Sequence, residues 1–302
     1  MKSLASYLAF LFIAQTALPC VWISGTKYSG ERTSVNARSG TRELEKSLRA
    51  NRKPDGVKME ADLRGATNFN DRSDYSIALM YLGRGDEAVE RLQELEKEKP
   101  GEYFIAANLG TAYELSGNNA EALRWIKEGL RRNASSHDGT EWLHVKILEA
   151  KIAQQKDSGF FSKHSVLELH PEQIGEQITV GDERMTIKEL KRAIEYQLRE
   201  RMQFVKPPDA AVASLLFDYA AIEAATVTLE SAKQVLEMAV EYGYPTAKVQ
   251  PLMKVYDQRI FRRKLKGYGL IALCVVAAFG LLAVLYRRGI FVLSRKGSQH
   301  TR

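Results

Sequence analysis

Residues 75–126 read YSIALMYLGRGDEAVERLQELEKEKPGEYFIAANLGTAYELSGNNAEALRWI, and the pattern of this stretch repeats after 34 residues. When the sequence is aligned with itself at that shift, apolar and small residues fall on residues of the same kind. A fixed period of this length is typical of proteins built from stacked helical hairpins. The superposed pairs are Tyr75 with Leu109, Leu79 with Tyr113, Gly83 with Gly117, Ala88 with Ala122, and Leu92 with Ile126.

Each unit contains the residues that a helical hairpin needs. Gly83 and Gly117 are placed to end the first helix in a turn, because glycine readily adopts the left-handed backbone that closes a helix. Ala88 and Ala122 let the second helix pack closely against the first, and Pro100 stops the second helix before the next unit. The stretch therefore predicts two consecutive hairpins.

A third first helix is predicted in the same register over residues 140–155. Leu143 and Ile147 stand at its apolar positions, but Lys151 occupies the place of the turn glycine. We therefore expect the third hairpin to continue without the standard turn.

These residues resemble the tetratricopeptide repeat family. The resemblance covers residues 72–155 well and residues 210–245 weakly, and Ser76 stands where the family usually has Gly or Ala. It implies an all-α fold, a helical-hairpin solenoid, which here is followed by a single C-terminal transmembrane helix. The matching residues of the second unit are Leu109, Gly110, Tyr113, Gly117, Ala122 and Ile126.

The same resemblance implies a partner-binding groove lined by the first helices. Its predicted lining is apolar with acidic spots, which suits an extended peptide or helix of a protein partner that carries large apolar side chains and some Lys or Arg. Alternatively, these residues pack against residues 24–70 folded back into the groove. The predicted groove residues are Ile77, Met80, Tyr81, Thr111, Glu114, Leu115, Glu141, Val145 and Glu149.

The repeat pattern breaks after residue 156. A small hairpin is predicted over residues 176–186, a helix over 187–204, a degenerate repeat hairpin over 210–225 and 229–242, and a last helix over about 251–266. A further short helix is predicted over 41–50. The expected segments are 1–20 (signal peptide or uncleaved anchor), 21–70 (loosely ordered lead-in), 71–156 (repeats), 157–208 (irregular insert plus helix), 209–266 (degenerate repeat and juxtamembrane helix), 267–286 (transmembrane helix) and 287–302 (basic cytoplasmic tail).

The two apolar ends predict a membrane topology. Lys2 and the apolar run over residues 4–14 have the layout of a secretory signal. Residues 267–286 carry no charge and are long enough to cross a hydrocarbon layer of about 30 Å. Basic residues flank this run on both sides, so the signal alone assigns the main domain to the extracytoplasmic (periplasmic) side and the tail to the cytoplasm. The basic residues at 262–266 fit either binding of anionic lipid headgroups or ordinary flanking of a span.

Composition narrows the functional classes. The 44 Lys+Arg against 37 Asp+Glu give a charge of +7, which is spread along the chain, so a nucleic-acid partner is not expected. Neither a catalytic motif nor a metal or cofactor motif is recognised, and no enzymatic activity is expected. The chain is interpreted as a membrane-anchored scaffold for protein–protein interactions at the extracytoplasmic face of the cell membrane. The alternatives are a structural subunit of a larger envelope complex for secretion or transport, and an enzyme with its site in residues 157–185.

Overall fold

The computed structural model describes residues 22–36, 54–135, 137–181 and 183–288. This part of the chain is all-α, with helical hairpins stacked into a solenoid and two small antiparallel β-hairpins. The strands are β1 (Trp22–Thr26), β2 (Arg32–Asn36), β3 (Gln177–Val180) and β4 (Glu183–Thr186). The helices are α1 (Gly56–Leu63), α2 (Phe69–Tyr81), α3 (Gly85–Glu98), α4 (Tyr103–Leu115), α5 (Asn119–Arg132), α6 (Glu141–Lys156), α7 (Phe160–Lys163), α8 (Ile187–Phe204), α9 (Ala210–Thr226), α10 (Leu229–Glu241) and α11 (Thr246–Arg287).

The two predicted repeats are present, and every helix boundary in the second unit lies 34 residues after its counterpart in the first. Gly83 and Gly117 have φ angles of 75° and 81°. In both turns the glycine N–H and the following N–H donate to carbonyl groups in the last turn of the first helix, at 2.9 to 3.0 Å. The same sequence signal therefore ends both first helices in the same way.

Close packing inside the second unit depends on Gly110. A Cβ atom at this position would lie 2.4 Å from Ile126 Cδ1 and 3.2 Å from the backbone nitrogen of Ile126. Ile126 is itself only 1% exposed. Since neither helix can move aside without disturbing the core, α4 and α5 need glycine at this crossing.

We expect Gly110→Ala to lower the free energy of unfolding by about 1–3 kcal/mol through overpacking. Ser76, one repeat earlier, is the matched control, because it already carries a Cβ and donates only a 3.2 Å hydrogen bond to Arg72 O. Ser76→Ala should therefore cost less than about 1 kcal/mol. Thermal unfolding of the full chain in detergent, followed by circular dichroism, measures both. Equal losses in the two variants would contradict the packing argument.

The third unit departs from the repeat as expected from Lys151. Helix α6 continues to Lys156 without a glycine turn, and the Lys151 ammonium lies 2.8 Å from Glu114 Oε1. Between α6 and α8 the described residues form no second repeat helix, so the expected third hairpin is not completed. The chain instead passes through α7 and the β3–β4 hairpin into α8, whose bounds coincide with the helix predicted over 187–204.

The described parts of residues 21–70 differ from the expected loosely ordered lead-in. Strand β1 packs on α10 and α11, and Thr26 donates from its backbone N–H and its hydroxyl to Glu230, both at 2.8 Å. Helix α1 packs on α2, where the buried Glu60 accepts from Arg64 and Arg84. These contacts order short polar segments that have no apolar periodicity of their own.

Neither of these N-terminal elements enters the predicted groove, so the alternative of a groove filled by residues 24–70 finds no support in the described residues. Some predicted segments lie outside the described residues. They are the signal segment 1–20, the helix over 41–50 and residues 289–302 of the tail.

The last helix is continuous from Thr246 to Arg287 and begins before the predicted start at about residue 251. Two amide groups, of Lys248 and Val249, donate to Pro245 O and start the helix there, so Pro251 lies inside it. The side chains of its apolar run are exposed, with Phe279 69% exposed. This helix is long and apolar enough to cross a membrane.

Candidate functional site

Helix α8 lies across the concave face that the first helices of the repeats form. Its C-terminal end reaches α2, where the rings of Phe204 and Tyr81 stack with centroids 4.6 Å apart. The Tyr81 hydroxyl also donates to Gln203 Oε1 at 3.0 Å. A part of the chain that does not belong to the repeats therefore occupies much of the predicted groove.

The other end of α8 is fixed to the C-terminal hairpin. Lys191 Nζ lies 2.6 Å from Glu223 Oε1, and the Glu223 side chain is fully buried on α9. The hydroxyl of Tyr219, also on α9, donates to Glu195 of α8. Helix α8 thus connects the repeats to the α9–α10 hairpin, and its position determines the shape of what remains of the groove.

A buried charge cluster holds α8 against the repeats. Arg201 makes a two-pronged ion pair with Glu114, with Nη2–Oε2 at 3.0 Å. Lys151 Nζ and His144 Nε2 each lie 2.8 Å from the same carboxylate. Because all these groups are shielded from water, the cluster has to remain complete to be tolerated.

The electrostatic environment perturbs the acidic groups of this cluster. Burial alone would raise the pKa of Glu114, but the charges of Arg201 and Lys151 outweigh it and hold that pKa well below its usual range. For Glu141, burial is likewise opposed by the hydrogen bond from His137 and by the nearby His144, which lower its pKa to about 2. Both carboxylates are therefore ionised at neutral pH.

The pKa of His144 shifts in the opposite direction. Burial would lower it, but the hydrogen bond to Glu114 and the nearby carboxylate of Glu141 raise the pKa above the ordinary value for histidine. Positive charge on His144 is therefore stabilised between two carboxylates, on α4 and on its own helix α6.

A cleft of about 240 Å³ remains between α8 and the repeats. It takes apolar and aromatic walls from both sides and carboxylates from α4, α6 and α8. The Oε2 atom of Glu141 at its edge accepts no hydrogen bond, although His144 Nδ1 approaches it to 3.4 Å. The lining residues are Ile77, Met80, Tyr81, Asn108, Thr111, Glu114, Leu115, His137, Glu141, His144, Tyr196, Gln197, Glu200, Arg201, Phe204 and Val205.

Two of the predicted groove residues lie outside this cleft. Val145 packs against the small core cluster formed by Ala122 and Ile126. Glu149 is exposed and faces α5, where its carboxylate lies 3.4 Å from Lys127 Nζ. The seven predicted residues that the structure brings to the cleft are Ile77, Met80, Tyr81, Thr111, Glu114, Leu115 and Glu141.

Sequence reasoning missed the half of the cleft that α8 supplies. Tyr196, Arg201 and Phe204 follow no repeat period, and Glu114 and Arg201 are 87 residues apart in the chain. One signal was available. An acidic residue at a position predicted to face inward from the repeats requires a cation opposite it, and α8 is rich in Arg and Lys.

The groups that line the cleft can bind a ligand by apolar, aromatic and polar contacts. Within the described residues, no group of three or more His, Cys, Asp or Glu side chains is arranged to hold a metal ion. His144 contacts the Glu114 carboxylate, and His137 Nδ1 contacts the Glu141 carboxylate and lies 3.3 Å from the Tyr103 hydroxyl. What the cleft offers a ligand is a partly apolar surface with aromatic rings and negative charge.

The similarity of this chain to known proteins is weak. No family model matches the chain, and no curated protein matches it. Among solved structures, a tetratricopeptide repeat protein from Parabacteroides merdae is similar over 71% of this chain and 98% of its own, with 16% sequence identity and a TM-score of 0.31.

Proposed function

We propose that the chain is a membrane-anchored helical-repeat scaffold that binds a protein partner in the cleft between α8 and the repeats. The observation that carries the proposal is this cleft, which stays open although α8 occupies the rest of the concave face. Stacked helical hairpins use such surfaces mainly to bind peptides and helices. A volume of about 240 Å³ suits one or two side chains of a short segment rather than a long helix.

The lining indicates the chemistry of that segment. Glu200 and Glu141 contribute carboxylates, and Tyr81, Tyr196 and Phe204 contribute aromatic rings. A carboxylate beside an aromatic ring is a favourable environment for a Lys or Arg side chain, since both attract a cation. We therefore propose a short segment with one basic residue next to an apolar one.

Peptides selected against the full chain in detergent test this function. The selected peptides should share a basic–apolar pair, and their affinity should fall about tenfold with Leu115→Ala and with Glu200→Gln, as for the loss of one buried contact. Glu94→Gln is a matched control, because Glu94 is exposed outside the cleft and lies 3.9 Å from Arg91. Peptides that bind both cleft variants as tightly as the unchanged chain would refute the proposal.

Membrane anchoring by α11, with the main domain outside the cytoplasm, is part of the same proposal. The length and apolar surface of α11 support the anchor, and the signal-like sequence at residues 1–20 supports the orientation. Protease treatment of cells with a permeabilised outer layer and a tag after Arg302 tests the orientation. Digestion of the main domain with protection of the tag is expected, and the reverse result would place the domain in the cytoplasm.

A structural subunit of a larger envelope complex is the second candidate. It is favoured by the apolar run of α11, in which large apolar side chains such as Ile271 and Val276 are exposed. In this case the span itself would contact other subunits. Replacing residues 267–286 by an unrelated apolar helix would then abolish assembly, whereas a simple anchor would tolerate the exchange.

A further inference from the structure

The turn between β1 and β2 packs directly against the part of α11 that precedes its apolar run. The guanidinium carbon of Arg259 lies 4.3 Å from the centre of the Tyr28 ring, and Arg259 also donates to the backbone oxygen of Tyr28. Arg263 donates to Ser24 Oγ at 3.2 Å and lies 3.5 Å from Glu230. Two arginines of α11 therefore hold the turn in place.

These contacts enclose a cationic pocket between the turn and α11, with a volume of about 570 Å³. Its lining includes the side chains of Ser29 on the turn and of Arg259, Arg262, Arg263, Leu265 and Lys266 on the helix. Among the described residues, the lining includes four cations and no carboxylate. In addition, the buried Nε of Arg263 has no hydrogen-bond partner in this part of the chain. An anion is the ligand that would compensate this excess of positive charge.

The height of the pocket along α11 indicates the source of the anion. At a rise of 1.5 Å per residue, Lys266 and Arg262 lie about 1.5 and 7.5 Å before Gly267, where the apolar run begins. The headgroup layer of a bilayer extends roughly 5–7 Å beyond the hydrocarbon. Leu265, which is 58% exposed, supplies an apolar wall beside the cations. The pocket thus combines cationic and apolar walls at the depth where a lipid headgroup meets its acyl chains.

We propose that this pocket binds the phosphodiester headgroup of an anionic phospholipid. Arg262 and Lys266 are exposed and supply the charges that reach the phosphate, while Arg259 and Arg263 hold the walls of the pocket. The Ser29 hydroxyl stands at the edge of the pocket and can donate to the headgroup. The proposal rests on the proposed membrane anchoring, and it adds that the contact with lipid is selective.

Native mass spectrometry of the full chain tests the proposal. The chain is titrated in non-ionic detergent with phosphatidylglycerol or with the zwitterionic phosphatidylcholine, and the retained lipid molecules are counted. Phosphatidylglycerol should be retained preferentially, and Lys266→Gln and Arg262→Gln should each weaken its binding about fivefold. Lys264→Gln is the matched control, because Lys264 is also exposed but does not line the pocket. The affinity of Lys264→Gln for phosphatidylglycerol should stay within about twofold of that of the unchanged chain.

Three results would overturn the proposal. The first is equal retention of the two lipids, and the second is an equal loss of affinity in Lys264→Gln and Lys266→Gln. The third is displacement of the lipid by millimolar glycerol phosphate, which would identify soluble phosphate as the ligand. Extraction of membranes with alkaline carbonate, from the cells that produce the chain, measures anchoring separately from lipid binding. A chain that remains in the membrane but shows no lipid preference refutes only the pocket.

Discussion

Glu114→Gln is expected to lower the free energy of unfolding by about 3–5 kcal/mol, as found for breaking buried ion pairs. The carboxylate of Glu114 faces Arg201, Lys151 and His144, and its side chain is 6% exposed. Removing its charge leaves these positively charged groups facing one another inside the groove. The variant should therefore also loosen α8, which hydrogen exchange across residues 187–204 would detect as faster exchange than in the unchanged chain.

Two further variants test the role of this ion-pair cluster. Glu149→Gln is the matched control, because this carboxylate lies on the neighbouring helix and is 42% exposed, so its loss should cost less than about 1 kcal/mol. Glu114→Leu combined with Arg201→Met removes both members of the main ion pair and should recover part of the loss, since the guanidinium that Glu114→Gln leaves without its partner is removed as well. Equal stability of Glu114→Gln and Glu149→Gln would show that the cluster does not hold α8.

Asp218→Ala has the second largest expected effect, about 3–5 kcal/mol, because three donors lose their acceptor inside the core. The fully buried Asp218 of α9 accepts from Ser165 Oγ at 2.6 Å and from the N–H groups of Leu167 and Leu169 at 2.9 and 3.1 Å. These bonds order the segment between α7 and β3. Asp157→Ala is the control, since the exposed Asp157 makes comparable bonds to Gly159 and Lys163, and its loss should leave the stability nearly unchanged.

The same residue gives a signed pH dependence. Burial raises the pKa of Asp218 to about 7, against the opposing effect of the hydrogen bonds from Ser165, Leu167 and Leu169. A pKa raised in the folded state stabilises the fold below the unfolded value, and this contribution is lost as the pH rises through the folded value. The unfolding free energy of the unchanged chain, measured relative to that of Asp218→Asn, should therefore increase as the pH falls from about 8 to about 5. A constant difference over this range would contradict the shift.

The repeats could be predicted because their determinants are local. Gly83 and Gly117 specify turns within their own units, and Ala88 and Ala122 specify helix crossings between neighbouring segments. The same register brought seven predicted residues to the lining of the cleft. Their role in binding stays a prediction. Val145 lies outside the cleft although the register is kept, because its side chain packs towards α5.

What could not be predicted depends on contacts between distant residues. The position of α8 follows from pairs such as Glu114 with Arg201, which no period links. The N-terminal β-hairpin is stabilised through contacts such as Thr26 with Glu230, so its own short, polar sequence did not indicate it. The helical pattern of residues 187–204 could predict a helix, but only the tertiary structure shows that this helix fills the groove.

The contact between the β1–β2 turn and α11 has a consequence for the order of events during synthesis. Tyr28 and Arg259 are separated by 231 residues, which at 5–20 residues per second corresponds to roughly 10–50 s of translation. The two repeats, whose contacts are local, can form during this interval, whereas the N-terminal hairpin lacks its contacts with α10 and α11 until the last part of the described chain has been made. Premature termination before α10 would therefore yield chains with folded repeats and an undocked N-terminal hairpin.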